Sequence, residues 1–294
     1  MNNILLAGAN GFIGTFLYDS FKKDYSITAS DYSKRFIENN FSPLDLTQVE
    51  DVENFAEQSP KCDALIFLVG LAHKKGKNQD LDEFRRINKQ TLINLLSKLD
   101  EKGKLPEKII FSSTISVYGE KINQIKYPED SVKKPFSPYA VTKLEAEEYL
   151  LNSYCTRSWI LRFAPVYSPD FELNINRRTK VNGIYYKVGD GSKKLSLCNL
   201  ENIGFVVKGI LEDKVPSGVY NISDSKDYSY NDLLTYINAK WIIRVPNFLI
   251  KGLFYIGKMM NNFFLIENTI KLISDNVFPS NKINQYIKLP SKLN

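Results

Sequence analysis

The stretch Gly8-Ala9-Asn10-Gly11-Phe12-Ile13-Gly14 directly follows the apolar run Ile4-Leu5-Leu6-Ala7, and its reading decides the fold. Glycines at a strand-to-helix junction permit a tight turn, a close approach of pyrophosphate to the backbone, and helix packing on the strand. The helix N-terminus then presents free N–H groups and a favourable dipole to an anion. Gly8, Asn10, Gly11, Phe12, Ile13 and Gly14 are therefore candidate cofactor residues. The spacing is GxxGxxG rather than GxGxxG, and its place at the first strand–helix junction gives it weight.

Outward from this turn, short apolar runs alternate with helical stretches. Ile4–Ala7, Ser26–Ser30, Ala64–Val69, Lys108–Ser112, Ser158–Phe163 and Val219–Ile222 are predicted strands. Gly14–Lys23, Val49–Gln58, Phe84–Lys102 and Pro138–Ser153 are predicted helices. This alternation predicts an α/β fold, a Rossmann-type doubly wound parallel sheet covered on both faces. A dinucleotide-binding domain is expected over 1–167, with segments near 199–224 returning to it. Residues 168–294 are expected to form mainly a smaller substrate-binding region, because periodicity fades from Pro165 to Leu195. From Trp241 onward, helical apolar stretches are expected to end in a polar tail.

The chain of 294 residues is 43% hydrophobic and 24% charged, an ordinary globular composition. Its net charge of +6 fits an anionic ligand without calling for nucleic acid, since no basic run carries interleaved aromatics. Cys62, Cys155 and Cys198 are scattered and odd in number, so a disulfide framework is excluded and a reducing cytoplasm is expected. A single histidine, His73, rules out a His-rich metal site, and no metal is expected. The only membrane candidate is Phe248–Ile266, which Lys251, Lys258, Asn261 and Asn262 interrupt. It is expected to pack on the rest of the protein; a basic amphipathic helix at a membrane surface is the other reading.

Asp31 ends the second strand, where a carboxylate accepts hydrogen bonds from adenosine ribose hydroxyls and repels a 2′-phosphate. NAD is therefore favoured, and the neighbouring Lys34 and Arg35 leave NADP possible. Asp45 and Leu46 are candidates for adenine contact, or Asp45 caps the following helix. Tyr139 and Lys143 stand one helical turn apart and share a face. A nearby ammonium favours the phenolate, so Tyr139 would exchange a proton with a sugar hydroxyl during hydride transfer. Thr114, after the fifth strand, would hydrogen-bond the same oxygen, and Asn88 would support Lys143 through water.

With these residues the chain resembles an extended short-chain dehydrogenase/reductase of the NAD-dependent epimerase/dehydratase family. The resemblance is carried by the glycine turn, Phe111-Ser112-Ser113-Thr114-Ile115-Ser116-Val117-Tyr118-Gly119, Ser137-Pro138-Tyr139-x-x-x-Lys143 and Leu161-Arg162-Phe163-Ala164-Pro165-Val166-Tyr167. It implies tightly held NAD(P), a nucleotide-sugar pocket, and a catalytic Thr114, Tyr139 and Lys143. It also implies Ala72 and Ser112 beside the cofactor, and a homodimer formed through Phe84–Lys102 and Pro138–Ser153. Candidate substrate residues are His73, Ser116, Val117, Tyr167, Asn174, Arg177, Arg178 and Ser196. Arginine suits a diphosphate because its fork pairs bidentately with phosphate.

Dehydratases of this family carry Asp-Glu after the catalytic Thr; Ile115-Ser116 stands here, which argues against water elimination. Gly70-Leu71-Ala72-His73 and Phe84-Arg85-Arg86-Ile87-Asn88 are similar to UDP-glucose 4-epimerase-like proteins of polysaccharide synthesis, including 4-keto reductases. The expected reaction lies at C4 of a UDP-sugar, as an epimerase or a reductase. Two alternatives stand beside it: epimerisation of a sugar on a lipid diphosphate, and a non-catalytic NAD-sensing module.

Overall fold

A computed structural model describes residues 3–33, 40–72, 80–119, 121–122 and 124–293. The chain begins β1 (Asn3–Ala7), α1 (Phe12–Phe21), β2 (Ser26–Asp31), β3 (Phe41–Pro43), α2 (Val49–Gln58) and β4 (Ala64–Phe67). It continues α3 (Leu81–Arg85), a π-helical turn (Arg86–Gln90), α4 (Thr91–Glu101), β5 (Lys108–Thr114), α5 (Pro138–Ser153) and β6 (Ser158–Phe163). Next come β7 (Val166–Tyr167), α6 (Leu173–Thr179), β8 (Lys180–Val181), β9 (Ile184–Val188), β10 (Lys194–Leu195) and β11 (Cys198–Asn199). The remainder is α7 (Leu200–Leu211), β12 (Gly218–Ile222), β13 (Tyr228–Ser229), α8 (Tyr230–Tyr236), β14 (Ile242–Val245), α9 (Asn247–Met259) and α10 (Phe263–Ile273).

Seven strands form one sheet in the order β12-β6-β5-β4-β1-β2-β3. Pairing is parallel from β1 to β2 and β4, from β4 to β5, and from β2 to β3. The strands read as apolar runs because both faces are covered; all four residues of β4 are buried. Leu5, Leu65, Phe67, Leu92, Leu95, Phe111 and Ile160 share one core cluster there. This is the expected Rossmann-type α/β architecture.

The chain divides into two compact units that interleave in sequence. One comprises Met1–Ser113, Pro138–Leu161 and Val207–Val219; the other comprises Thr114–Ser137, Arg162–Val206 and Tyr220–Asn294. The second unit has its own cluster around Tyr167, Ile175, Leu197, Tyr228 and Leu233.

Several boundaries differ from the sequence expectation. The helix expected over Phe84–Lys102 is broken by the π-helical turn, which carries buried Asn88. Such turns recur at functional sites. The apolar stretch 248–266 is two helices, because Asn261 takes a left-handed φ of 50° and Asn262 caps α10 by accepting from the Leu265 N–H at 3.0 Å. Residues 242–245, expected to be helical, form β14, paired parallel to β9. Among the described residues no helix is long and apolar enough to cross a membrane.

The second unit buries a charge. Arg162, 1% exposed, donates from Nη1 to the Tyr118 hydroxyl at 2.8 Å and to the Glu129 carbonyl at 3.1 Å. The Tyr118 hydroxyl in turn donates to Asn221 Oδ1 at 2.7 Å. Removing one member of such a network strands the others without water. Arg162→Met leaves the Tyr118 hydroxyl and Glu129 carbonyl short of a donor and is expected to lower the free energy of unfolding by about 1–3 kcal/mol in urea denaturation. A change under roughly 1 kcal/mol, the scale of a single exposed pair, would show that the network contributes little.

Candidate active site

The glycine turn has the shape that the sequence predicts. Gly8 has a φ of +84°, and a Cβ there would lie 2.9 Å from the Val69 nitrogen. A Cβ on Gly14 would overlap the backbone of Gly8 and Ala9, the Ala9 carbonyl oxygen at 2.7 Å. Gly11 is the N-cap of α1 in extended conformation and makes no side-chain cap, and a helix N-terminus of this kind favours an anion. Phe12 is exposed and Ile13 half-buried at this end.

Asp31 sits at the end of β2 beside the turn. Its carboxylate accepts from the Asn10 N–H at 3.1 Å and the Tyr32 N–H at 2.8 Å. The Asn10 side-chain amide donates to the Ser33 carbonyl. Lys34 and Arg35, the residues that would accommodate a 2′-phosphate, lie outside the described residues, as does His73. Asp45 closes a turn by accepting from the Thr47 N–H at 2.9 Å and its hydroxyl at 2.7 Å, while Gln48 holds the N-cap position of α2. The Leu46 side chain is committed to the core, and its carbonyl accepts from the Asn94 side-chain amide at 3.1 Å.

Helix α5 buries Ala140, Thr142, Lys143, Ala146, Glu147 and Leu150. An ordinary amphipathic helix keeps Lys and Glu out of such a stripe, which sets Lys143 and Glu147 apart here. Tyr139 stands half-exposed one turn before Lys143. The Lys143 ammonium donates to the Val69 carbonyl at 3.1 Å and lies 4.6 Å from the centre of the Phe111 ring. A Cβ on Gly70 would come within 3.1 Å of Nζ, so glycine there lets the lysine reach the end of β4. Asn88 accepts from the Leu71 N–H at 2.6 Å and donates to the Leu71 carbonyl and to the Thr142 hydroxyl. Asn88 thus clamps the 69–71 loop that receives Lys143. Ala72, next along, is exposed.

Burial pushes Lys143 down to about 7, against a smaller upward pull from Glu147. The folded value lies below the unfolded one. The folded state therefore sheds this proton first, and stability gains with pH between about 7 and 10.5. Glu147 also accepts a hydrogen bond from the Ser113 hydroxyl, which fixes the end of β5.

Thr114, last residue of β5 and first of the second unit, is nearly buried, and its Oγ1 accepts from the Ser116 N–H at 3.2 Å. Ser112 and Ser116 are half-buried. The Val117 side chain is fully buried in the core, so only its backbone remains for a ligand. Tyr167 is also buried: its phenol donates to Asp224 Oδ2 at 2.7 Å, as does Tyr228 at 2.9 Å. The Asn199 N–H and the Asn202 amide satisfy the other oxygen. A buried carboxylate needs that many donors, and this explains why Tyr167 turns inward.

In the second unit, Arg178 and Ser196 line one pocket with Ile115, Pro165, Asn276 and Phe278. Asn276 Oδ1 is buried there with no hydrogen-bond partner among the described residues. Sequence reasoning missed Asn276, and no local motif marks it. Arg178 is held by Nη1 donation to the Asn174 carbonyl at 2.8 Å. Asn174 itself donates to the Val166 carbonyl and so serves the local backbone. Arg177 is exposed, and Ser196 is spanned by Asp227 and the Phe278 N–H.

A model described as the NAD dependent epimerase/dehydratase family matches residues 4–222. An N-acetyl-α-D-glucosaminyl-diphospho-undecaprenol 4-epimerase of Escherichia coli O157:H7 is 27% identical over 257 residues, 84% of this chain and 74% of that one. The structure is similar to a UDP-glucose 4-epimerase of Thermotoga maritima bound to UDP-glucose, with TM-score 0.75 and 20% identity over 99% of this chain and 94% of that one. A UDP-glucuronic acid 4-epimerase of Bacillus cereus in complex with NAD gives TM-score 0.67 and 24% identity, covering 83% and 85% of the two chains.

Gly14→Ala forces a Cβ into backbone. It is expected to destabilise the protein by about 1–3 kcal/mol and to strip dinucleotide from the purified protein, read by absorbance after denaturation. Wild-type cofactor content in this variant would contradict the assignment of the turn.

Proposed function

Because the chain belongs to the NAD dependent epimerase/dehydratase family, we propose that it is a 4-epimerase of an N-acetylhexosamine joined to a diphosphate. The observation that carries this reading is Lys143, buried in the stripe of α5 one turn beyond Tyr139. The glycine cradle, Asp31 and Lys143 fit a dinucleotide, and a carboxylate at the end of β2 favours NAD over NADP. When bound, NAD supplies a hydride acceptor for C4 and a hydride donor for the return to the opposite face.

The chain's own residues manage the proton. Tyr139 takes it from the C4 hydroxyl and gives it back once the 4-keto sugar has turned over. The ammonium form of Lys143, one helical turn away, favours the Tyr139 phenolate. Thr114 hydrogen-bonds the reacting oxygen. Arg177 and Arg178, in the last turn of α6, are the candidates to pair with the diphosphate. Absence of the Asp-Glu pair after Thr114 removes the acid and base for dehydration. The 4-epimerase activities named for the similar proteins support epimerisation over one-way reduction. A cytoplasmic homodimer through the α3–α4 segment and α5 completes the reading.

UDP is the first carrier proposed. A polyprenyl diphosphate is the second, favoured by the similarity to the undecaprenol-linked epimerase over 84% of the chain. The decisive assay incubates purified protein, without added cofactor, with UDP-GlcNAc and with detergent-solubilised polyprenyl-diphospho-GlcNAc. Bound NAD and conversion to the galacto epimer on either carrier are expected. Consumption of added NADH with a 4-keto sugar, and no interconversion, would make the protein a reductase. Tyr139→Phe is expected to keep bound NAD and lower kcat by about 10²–10⁴; full turnover would overturn the mechanism.

A further inference from the structure

Helix α9 buries only Phe254 and Gly257, with Ile250 half-buried, against Leu265, Ile266, Ile270 and Ile273 of α10. This stripe is narrow. At 3.6 residues per turn, Phe248, Leu249, Leu253, Tyr255, Ile256 and Met259 fall on one arc of roughly 160°. All six are exposed, Phe248 at 70% and Met259 at 81%. Phe264 at the start of α10 and Trp241 before β14 are exposed too, at 71% and 87%. Soluble proteins seldom leave a helix face this apolar in water.

Charge identifies the occupant. Lys251 and Lys258 lie seven residues apart along the edge of this arc, and Lys258 rests over the Phe254 ring with its ammonium 5.0 Å away. Lys240 and Arg244 precede the helix, and no carboxylate intervenes from Lys240 until Glu267. An apolar arc bordered by lysines, with aromatic and Met side chains, is the composition of a helix lying in a membrane interface. The long lysine stems cover apolar surface while the ammonium reaches headgroup phosphate. A second copy docked on this face by two-fold symmetry would bring like charges together, which opposes pairing.

We infer that the exposed face of α9 docks this protein on an anionic lipid bilayer. The docking does not depend on the reaction proposed above.

Co-sedimentation of the full chain with large vesicles tests it. Wild type is expected to pellet with phosphatidylglycerol/phosphatidylcholine vesicles, to do so less with phosphatidylcholine alone, and to release as salt rises. Lys251→Gln/Lys258→Gln is expected to lower the partition coefficient about thirty-fold. Phe248→Ser/Met259→Ser is expected to abolish pelleting. Both pairs are exposed, so thermal unfolding should match wild type and show that the fold persists. No pelleting of wild type, or equal pelleting of both variants, would overturn the inference. So would a solution dimer, by light scattering, that Phe248→Ser/Met259→Ser dissociates, since a second copy would then cover the face. Epimerisation of a detergent-solubilised substrate reports on the active-site reading separately.

Discussion

The constraint on which the site depends is the burial of one ammonium group. Lys143 is 2% exposed and gives its proton donor to a backbone carbonyl at the end of β4. That arrangement costs free energy unless the neighbourhood is shaped for it. Gly70 supplies the room, the Phe111 ring supplies a polarisable face, and Glu147 one turn on supplies an opposing charge. Asn88 then holds the 69–71 loop in place from a π-helical turn. A regular helix would present a different residue at that position, which gives the local distortion a purpose.

The same economy shows in the glycine turn. The position that tolerates no side chain at all is Gly14, where α1 packs directly on the backbone of Gly8 and Ala9. Gly8 adds a left-handed φ. These two positions fix the angle at which α1 leaves the sheet, and so where its N-terminal N–H groups point.

Much of the first unit was legible in the sequence, because its apolar runs and helical stretches are long and local. The ends of α2, α5 and β6 match the sequence reading residue for residue. The second unit was harder because its elements are short and pair over long distances. The β8–β9 hairpin carried a signal that passed unread: Asn182-Gly183, both with positive φ, is a two-residue hairpin turn. Strand β14 carried less, since its partner β9 lies far back in the chain. The inward turn of Tyr167 follows from Asp224, Tyr228 and Asn202, none of which its local motif reveals. Asn276 was invisible for the same reason. Leu46 and Val117 show the limit of motif reading, because neighbours of functional residues often serve the core.

The most direct test of this account is the titration of Lys143 itself. Isotope-labelled lysine NMR on cofactor-stripped protein, with Lys143→Met to assign the signal, would follow its Nζ-adjacent carbon across pH. A midpoint near 7 is expected, the value to which burial pushes it. A midpoint at the ordinary lysine value of about 10.4 would mean that the ammonium is solvated, and would contradict the buried site from which the function has been argued.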